Sequence, residues 1–181
     1  MAMTQKVIAA GFGGQGVMSL GQLLAYAGMI EEKQVSWLPS YGPEMRGGTA
    51  NCGVIVSDGL IGSPVVVGDC TCLIAMNQPS LDKFEVDVIS GGKILINSSL
   101  IKNKTTRTDV EAFYIDANAI AEECGTVKAA NMVMLGAFLE LIKTVEQDSV
   151  LQAFIKVFGE NKAKFVPMNK EALTKGDNAV K

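Results

Sequence analysis

The sequence contains no histidine. Ser-His and Cys-His nucleophile pairs are therefore excluded, as is any imidazole base or metal ligand, and acid–base chemistry falls to carboxylates, lysine, tyrosine or another chain. Aromatic residues make up only 6% of the 181 positions, against 48% hydrophobic residues. The core must then be built from Val, Ile, Leu, Ala and Met, which suits a buried sheet covered by helices. No run of Lys or Arg stands out and the net charge is -3, which argues against a nucleic-acid partner. Cys52, Cys70, Cys72 and Cys124 are scattered. Cys70-Thr71-Cys72 lacks C-x-x-C spacing and has no second pair, so the four are read as reduced core residues and no metal site is expected.

From Val7 to Ile30 no residue is charged, a length that could span a membrane. The glycines at 11, 13, 14, 16, 21 and 28, with Gln15 and Gln22, point instead to a buried strand, a turn and a buried helix. No small-residue cleavage site follows the apolar stretch after Lys6, so no signal peptide is expected and the chain is assigned to the cytoplasm, with no membrane contact.

The length fits one domain over residues 1–181, with a frayed tail from Lys175 to Lys181. Lys6 to Ala10 reads as a strand and Val17 to Ile30 as a helix. Gln34 to Leu38 is a second strand ended by Pro39. A loop then feeds a strand from Thr49 to Ser57, and Ser57-Asp58-Gly59 turns Leu60 and Ile61 back as a hairpin partner. Strands follow at Thr71 to Met76, Lys93 to Asn97 and Ala112 to Ile115. Helices are predicted from Pro79 to Phe84, from Asp116 to Glu123 and from Asn131 to Lys143. Another, capped by Asp148 or Ser149, runs to Phe158, and a last short one is capped by Asn169. This order predicts a three-layer α/β/α sandwich with a Rossmann-like opening unit and a mostly parallel sheet carrying a β-hairpin insertion.

Two glycine-rich segments carry the chemistry. Gly11, Gly13 and Gly16, with Gly14 and Gln15 between them, satisfy G-x-G-x-x-G between a strand and a helix. Such a turn brings backbone N–H groups to a phosphate or carboxylate, or serves as a tight turn with nothing bound, and both readings stand. A dinucleotide also wants an acid at the end of the second strand, where this chain has Leu38, Pro39 and Ser40. The second segment, Ser40 to Gly48, presents Tyr41, Glu44 and Arg46 between prolines and glycines. Arg46 can grip an anion in a bidentate fork, or pair with Glu44 as a surface contact; the cost of ordering such a loop favours function. Asn131 either donates its amide to a ligand or simply starts its helix.

Together these segments resemble the gamma subunit of 2-oxoacid:ferredoxin (acceptor) oxidoreductases. Gly11 to Val17 matches the family's G-x-G-G-Q-G-V, Tyr41 to Gly48 its Y-G-P-E-x-R-G-G, and Asn131 to Gly136 its N-M-x-x-L-G. The resemblance implies a subunit of an enzyme that converts a 2-oxoacid and coenzyme A to acyl-CoA and carbon dioxide while reducing ferredoxin. Thiamine diphosphate would lie between alpha and beta subunits and iron-sulfur clusters on a ferredoxin-like subunit, leaving none on this chain and the isolated chain inactive, with a homodimer possible in isolation. Gly11, Gly13, Gly14, Gln15, Gly16 and Asn131 would face coenzyme A, and Tyr41, Glu44 and Arg46 would form the loop approaching the active site. No catalytic residue is assigned to this chain. The loop is more similar to the 2-oxoglutarate and branched-chain groups than to the pyruvate group, which leans the substrate to 2-oxoglutarate. The alternative is a free-standing nucleotide-binding or regulatory module using only the first glycine turn.

Overall fold

A computed structural model describes residues 3–40 and 49–181. Six strands form one sheet in the order β2-β3-β1-β4-β5-β6, with β1 at Thr4–Phe12, β2 at Gln34–Ser40, β3 at Thr49–Ser57, β4 at Cys70–Ala75, β5 at Val88–Asn97 and β6 at Glu111–Ile115. β1, β4, β5 and β6 pair in parallel, and β3 runs antiparallel to both β1 and β2. The reversed strand thus comes from β3 itself, which pairs with β2. Leu60 and Ile61, expected to return as a hairpin, belong to no strand. β3 has no free edge to pair with them, because β1 and β2 already occupy both its sides. Pro39 does not end β2 but pairs with Cys52 within it. It is tolerated because β2 is an edge strand, whose outward N–H has no ladder bond to make.

Helices cover both faces. The helix α1 (Val17–Ile30) leads from β1 toward β2, and α2 (Gln78–Phe84) leads from β4 to β5 in the other direction along the sheet. Right-handed crossovers running opposite ways place their helices on opposite faces. Neighbouring strand residues therefore feed different cores: Val7 and Ala9 pack with α1, whereas Ile8 and Ala10 pack with Leu81 and Phe84 of α2. The α1 face also holds α3 (Ala117–Glu123), α4 (Ala130–Ile142), α5 (Gln147–Phe158) and α6 (Val166–Asn178). The α2 face is thinner, closed by α2 and connecting segments that bring in Val66, Ile101 and Val110.

Several helix ends differ from those expected. Glu146, not Asp148 or Ser149, flanks the start of α5, and it makes no side-chain cap. Asn169 caps nothing: α6 begins at Val166 with Pro167 in its first turn, which presets the helical φ, and Asn169 falls inside the helix. The same helix runs to Asn178, and Gly176 packs on the backbone of Val133 in α4.

The α4–α6 contact is the tightest in the molecule's helical layer. A Cβ at Gly136 would lie 2.0 Å from the carbonyl oxygen of Leu173, and one at Gly176 would lie 1.9 Å from that of Val133. Each glycine therefore admits the partner helix's backbone to a distance no side chain allows. No helix among the described residues is long and apolar enough to cross a membrane.

Candidate phosphate-binding turn

The turn Gly13–Gly16 sits at the carboxyl ends of β1 and β4, where the chain leaves in opposite directions along the sheet. That crevice is where open α/β sheets bind ligands. Two hydrogen bonds set the local geometry: Gln15 N donates to Phe12 O at 3.1 Å, and Met76 N donates to Ala10 O at 2.8 Å, tying the end of β4 to β1. Gly14 and Gly16 have φ of 95° and 77°, so both adopt left-handed backbone that other residues resist. The amides of Gly13, Gly14 and Gly16 have no backbone acceptor among the described residues. The three glycines line a cavity of about 310 Å3 shared with Val17, Ser19 and Ala50. The first turn of α1 holds no acidic residue, so nothing there opposes an anion drawn by the helix dipole.

The Gln15 side chain is bonded within the protein. Its Oε1 accepts from Phe12 N at 2.6 Å and from Asn77 Nδ2 at 3.3 Å, while its Nε2 donates to Met76 O at 3.1 Å. The side chain is a clamp between the two loops. Gly11 serves the clamp: a Cβ there would meet Gln15 Oε1 at 2.7 Å and Met76 Cβ at 2.8 Å. Asn77 in turn caps α2 by accepting from Ser80 N at 2.9 Å.

Asn131 is brought to the turn, again as a support. Its Nδ2 donates to Gly16 O at 3.2 Å and its Oδ1 accepts from Met132 N at 2.9 Å. It closes so tightly on the turn that a Cβ at Gly16 would lie 2.6 Å from Nδ2. Gly16 is thus glycine for two reasons, its φ and its neighbour.

Tyr41, Glu44 and Arg46 lie outside the described residues. Their flanking strands are informative, since Ser40 pairs with Asn51 and Thr49 pairs with Phe12, so both ends of that segment are anchored at the edge of the sheet that carries the glycine turn. The same pairing bears on dinucleotide binding. With β3 inserted between β1 and β2, the end of β2 stands two strand spacings, about 9.6 Å, from β1, so an acid there would not have been adjacent to the turn. Sequence reasoning missed Asn77, Ser19 and Lys128, the last of which borders a cavity of about 120 Å3 with Gly14, Gln15, Met76 and Asn118. Asn77-Gln78-Pro79 carried a signal, but one legible only as a helix start.

Cys52, Cys70 and Cys72 are buried thiols, whereas Cys124 is half-buried. Burial pushes Cys52 up to about 11 and Cys70 up to about 12, and burial raises Cys72 as well. Cys52 Sγ points at Val17 O at 3.4 Å and Cys70 Sγ at Cys72 O at 3.1 Å. Such neutral, enclosed thiols do not fit metal or iron-sulfur ligation, and no group of three metal-ligating side chains occurs among the described residues.

Comparison with known proteins agrees with this architecture. The model of the pyruvate ferredoxin/flavodoxin oxidoreductase family matches residues 6–179. The ketoisovalerate oxidoreductase subunit VorA of Methanothermobacter thermautotrophicus is 43% identical over 171 residues, covering 94% of this chain and 35% of that protein. The 2-oxoglutarate synthase subunit KorC of Methanocaldococcus jannaschii is 34% identical over 156 residues, covering 84% of this chain and 83% of that protein. The crystal structure of a keto/oxoacid ferredoxin oxidoreductase gamma subunit from Geobacter sulfurreducens superimposes with a TM-score of 0.82 at 30% identity, covering 97% of this chain and 98% of that one. The chain thus spans about a third of the length of VorA and most of the length of KorC.

Proposed function

Because the chain belongs to the pyruvate ferredoxin/flavodoxin oxidoreductase family, we propose that it is the gamma subunit of a thiamine diphosphate-dependent 2-oxoacid:ferredoxin oxidoreductase and that its glycine turn binds the phosphates of coenzyme A. The observation that carries the second part is the set of unpartnered amides at Gly13, Gly14 and Gly16, three glycines that line a cavity at the start of an α1 free of acids. Coenzyme A supplies the thiol that accepts the acyl group. This chain's part is to hold the carrier's phosphates and so fix the thiol's approach, and positioning of that kind lowers a barrier by entropy spent at binding. Gln15 and Asn131 keep the amides in place. Arg46, with Tyr41 and Glu44, extends the site from the neighbouring segment.

The partners under this reading are alpha and beta subunits holding thiamine diphosphate, a ferredoxin-like subunit holding iron-sulfur clusters, and ferredoxin as acceptor. KorC and the Geobacter sulfurreducens gamma subunit, both matched over most of their length, support a gamma-subunit role beside such partners. For substrate, the 43% identity to a ketoisovalerate enzyme subunit favours a branched-chain 2-oxoacid. The second reading is 2-oxoglutarate, favoured by the 34% identity to KorC over 84% of this chain.

The test is purification of the tagged chain from its source with its partners, followed by 2-oxoacid-dependent dye reduction with ketoisovalerate, 2-oxoglutarate and pyruvate. Activity that requires coenzyme A, with a raised KM for it in Gly14→Ala and Arg46→Ala assemblies, is the expected result. Unchanged KM in both variants would remove coenzyme A from this chain. A chain that elutes alone and binds a nucleotide tightly would replace the subunit by a free-standing nucleotide-binding module.

A further inference from the structure

A second cavity, of about 570 Å3, opens on the helical face and is walled by Leu23 of α1, Met132 of α4, Phe154 and Phe158 of α5 and Met168 of α6. Its volume falls in the range of roughly 300 to 1,000 Å3 that small-molecule sites occupy. Two features mark it as more than a packing defect. The first is charge. In a chain of net charge -3, no Asp or Glu among the described residues lines this cavity, while Lys128 and Lys162 both do, and the wall between them carries the amide of Asn169, a residue only 4% exposed. The second is restraint of the rim: Lys162 Nζ stands 5.6 Å from the ring centroid of Phe165, which also borders the cavity. A cation held over a ring is kept close to the surface it guards.

We propose that this cavity is a ligand site of its own, for a small amphipathic organic anion. The apolar body would lie between Leu23, Met132 and Phe158, a polar atom would meet the Asn169 amide, and the anionic head would pair with Lys128 and Lys162. Ser19 borders both this cavity and that of the glycine turn, so an occupant would sit beside the phosphate site without sharing its amides. The inference goes beyond the oxidoreductase reading and does not rest on it.

The probe is 8-anilinonaphthalene-1-sulfonate, titrated by fluorescence into the full chain, with N-phenyl-1-naphthylamine as the uncharged analogue. One saturable site is expected, several-fold weaker for the uncharged analogue. It should be about tenfold weaker for the anion in the Lys128→Glu/Lys162→Glu double variant, the effect of reversing two rim charges. Both lysines are on the rim, so this variant should melt as the wild type does; Phe165→Ala, which removes one side of the rim, should weaken both probes alike. Multiple weak sites, equal affinity for the two probes, or an affinity untouched by the double variant would overturn the proposal. The same titration on the assembled enzyme must retain the site. Its loss on assembly would overturn the ligand assignment and give the cavity to a partner's side chain.

Discussion

Two pairs of glycines in this molecule look alike in the sequence and differ in purpose. Gly14 and Gly16 adopt left-handed backbone at the mouth of a cavity, and around the missing Cβ of Gly14 there is nothing within 4 Å. Gly136 and Gly176 are ordinary helical residues whose missing Cβ atoms are replaced by the backbone of the facing helix at 2.0 and 1.9 Å. Both members of the first pair need a backbone conformation that only glycine adopts freely, with Gly16 also crowded by Asn131, whereas the second pair is glycine only for what a side chain would prevent. A glycine in a shared motif is therefore not by itself a binding residue, and Gly136 belongs to the same late N-M-x-x-L-G stretch that made Asn131 a candidate for ligand contact.

Substitutions can break or sharpen that contrast. The largest effect is expected at the helix crossing. Alanine at Gly136 or Gly176 must push α4 from α6, costing more than about 4 kcal/mol, and should lower the melting temperature by roughly 10 °C or abolish soluble expression. Melting like the wild type would mean the two helices do not cross so closely. Next comes Gly16→Ala, which combines unfavourable φ with a clash on Asn131 and should cost about 2–3 kcal/mol. Because the clash is half of the problem, Asn131→Ala placed on top of Gly16→Ala should restore part of the loss, a non-additivity read from a double-mutant cycle in urea. At Gly14 only the backbone objects, so alanine should cost about 1–2 kcal/mol of stability while its main effect appears in the KM for coenzyme A.

Gln15→Ala tests the support beneath the turn. Three hydrogen bonds are lost, at roughly 1–2 kcal/mol in stability, and amide exchange at Gly13 and Gly14 should speed up as the loop loses its tie to Met76. Unaltered exchange would show that the turn holds itself. The effect of pH is absent at neutrality and appears only in alkali. The unfolded thiols ionise around their ordinary value of 9.0, while Cys52 and Cys70 stay neutral in the fold until about 11 and 12. The unfolded state therefore binds fewer protons than the fold in this window, so stability present below pH 9 declines as pH rises toward 11 and 12. The melting temperature should fall across that range, and less steeply in Cys52→Ala.

The residues that proved readable one by one are those whose local preferences agree with their surroundings. Val7 to Ala10 reads as a strand buried on both faces, and Gly13 to Gly16 as a turn before a helix, because every requirement is met within a few positions. Pro39 misled, since its effect depends on whether a neighbour demands its N–H, and that depends on β2 lying at the edge. Asn169 misled in the same way: a cap preference was outweighed by Pro167 two residues earlier. The bonds of Gln15 were not legible, because they run to Met76 and Asn77, about sixty positions away.

Sequence by itself determined the class of fold, the position of the phosphate-type turn and the family, because periodicity, turn chemistry and short motifs are local and survive without knowledge of what packs where. Only the tertiary structure decided that β3 runs between β1 and β2, that Gln15 and Asn131 bond to and brace the turn, and that Gly136 meets Leu173 while Gly176 meets Val133. Those facts depend on which distant segments share a surface, and burial pays for such contacts collectively, so no single stretch of chain records them.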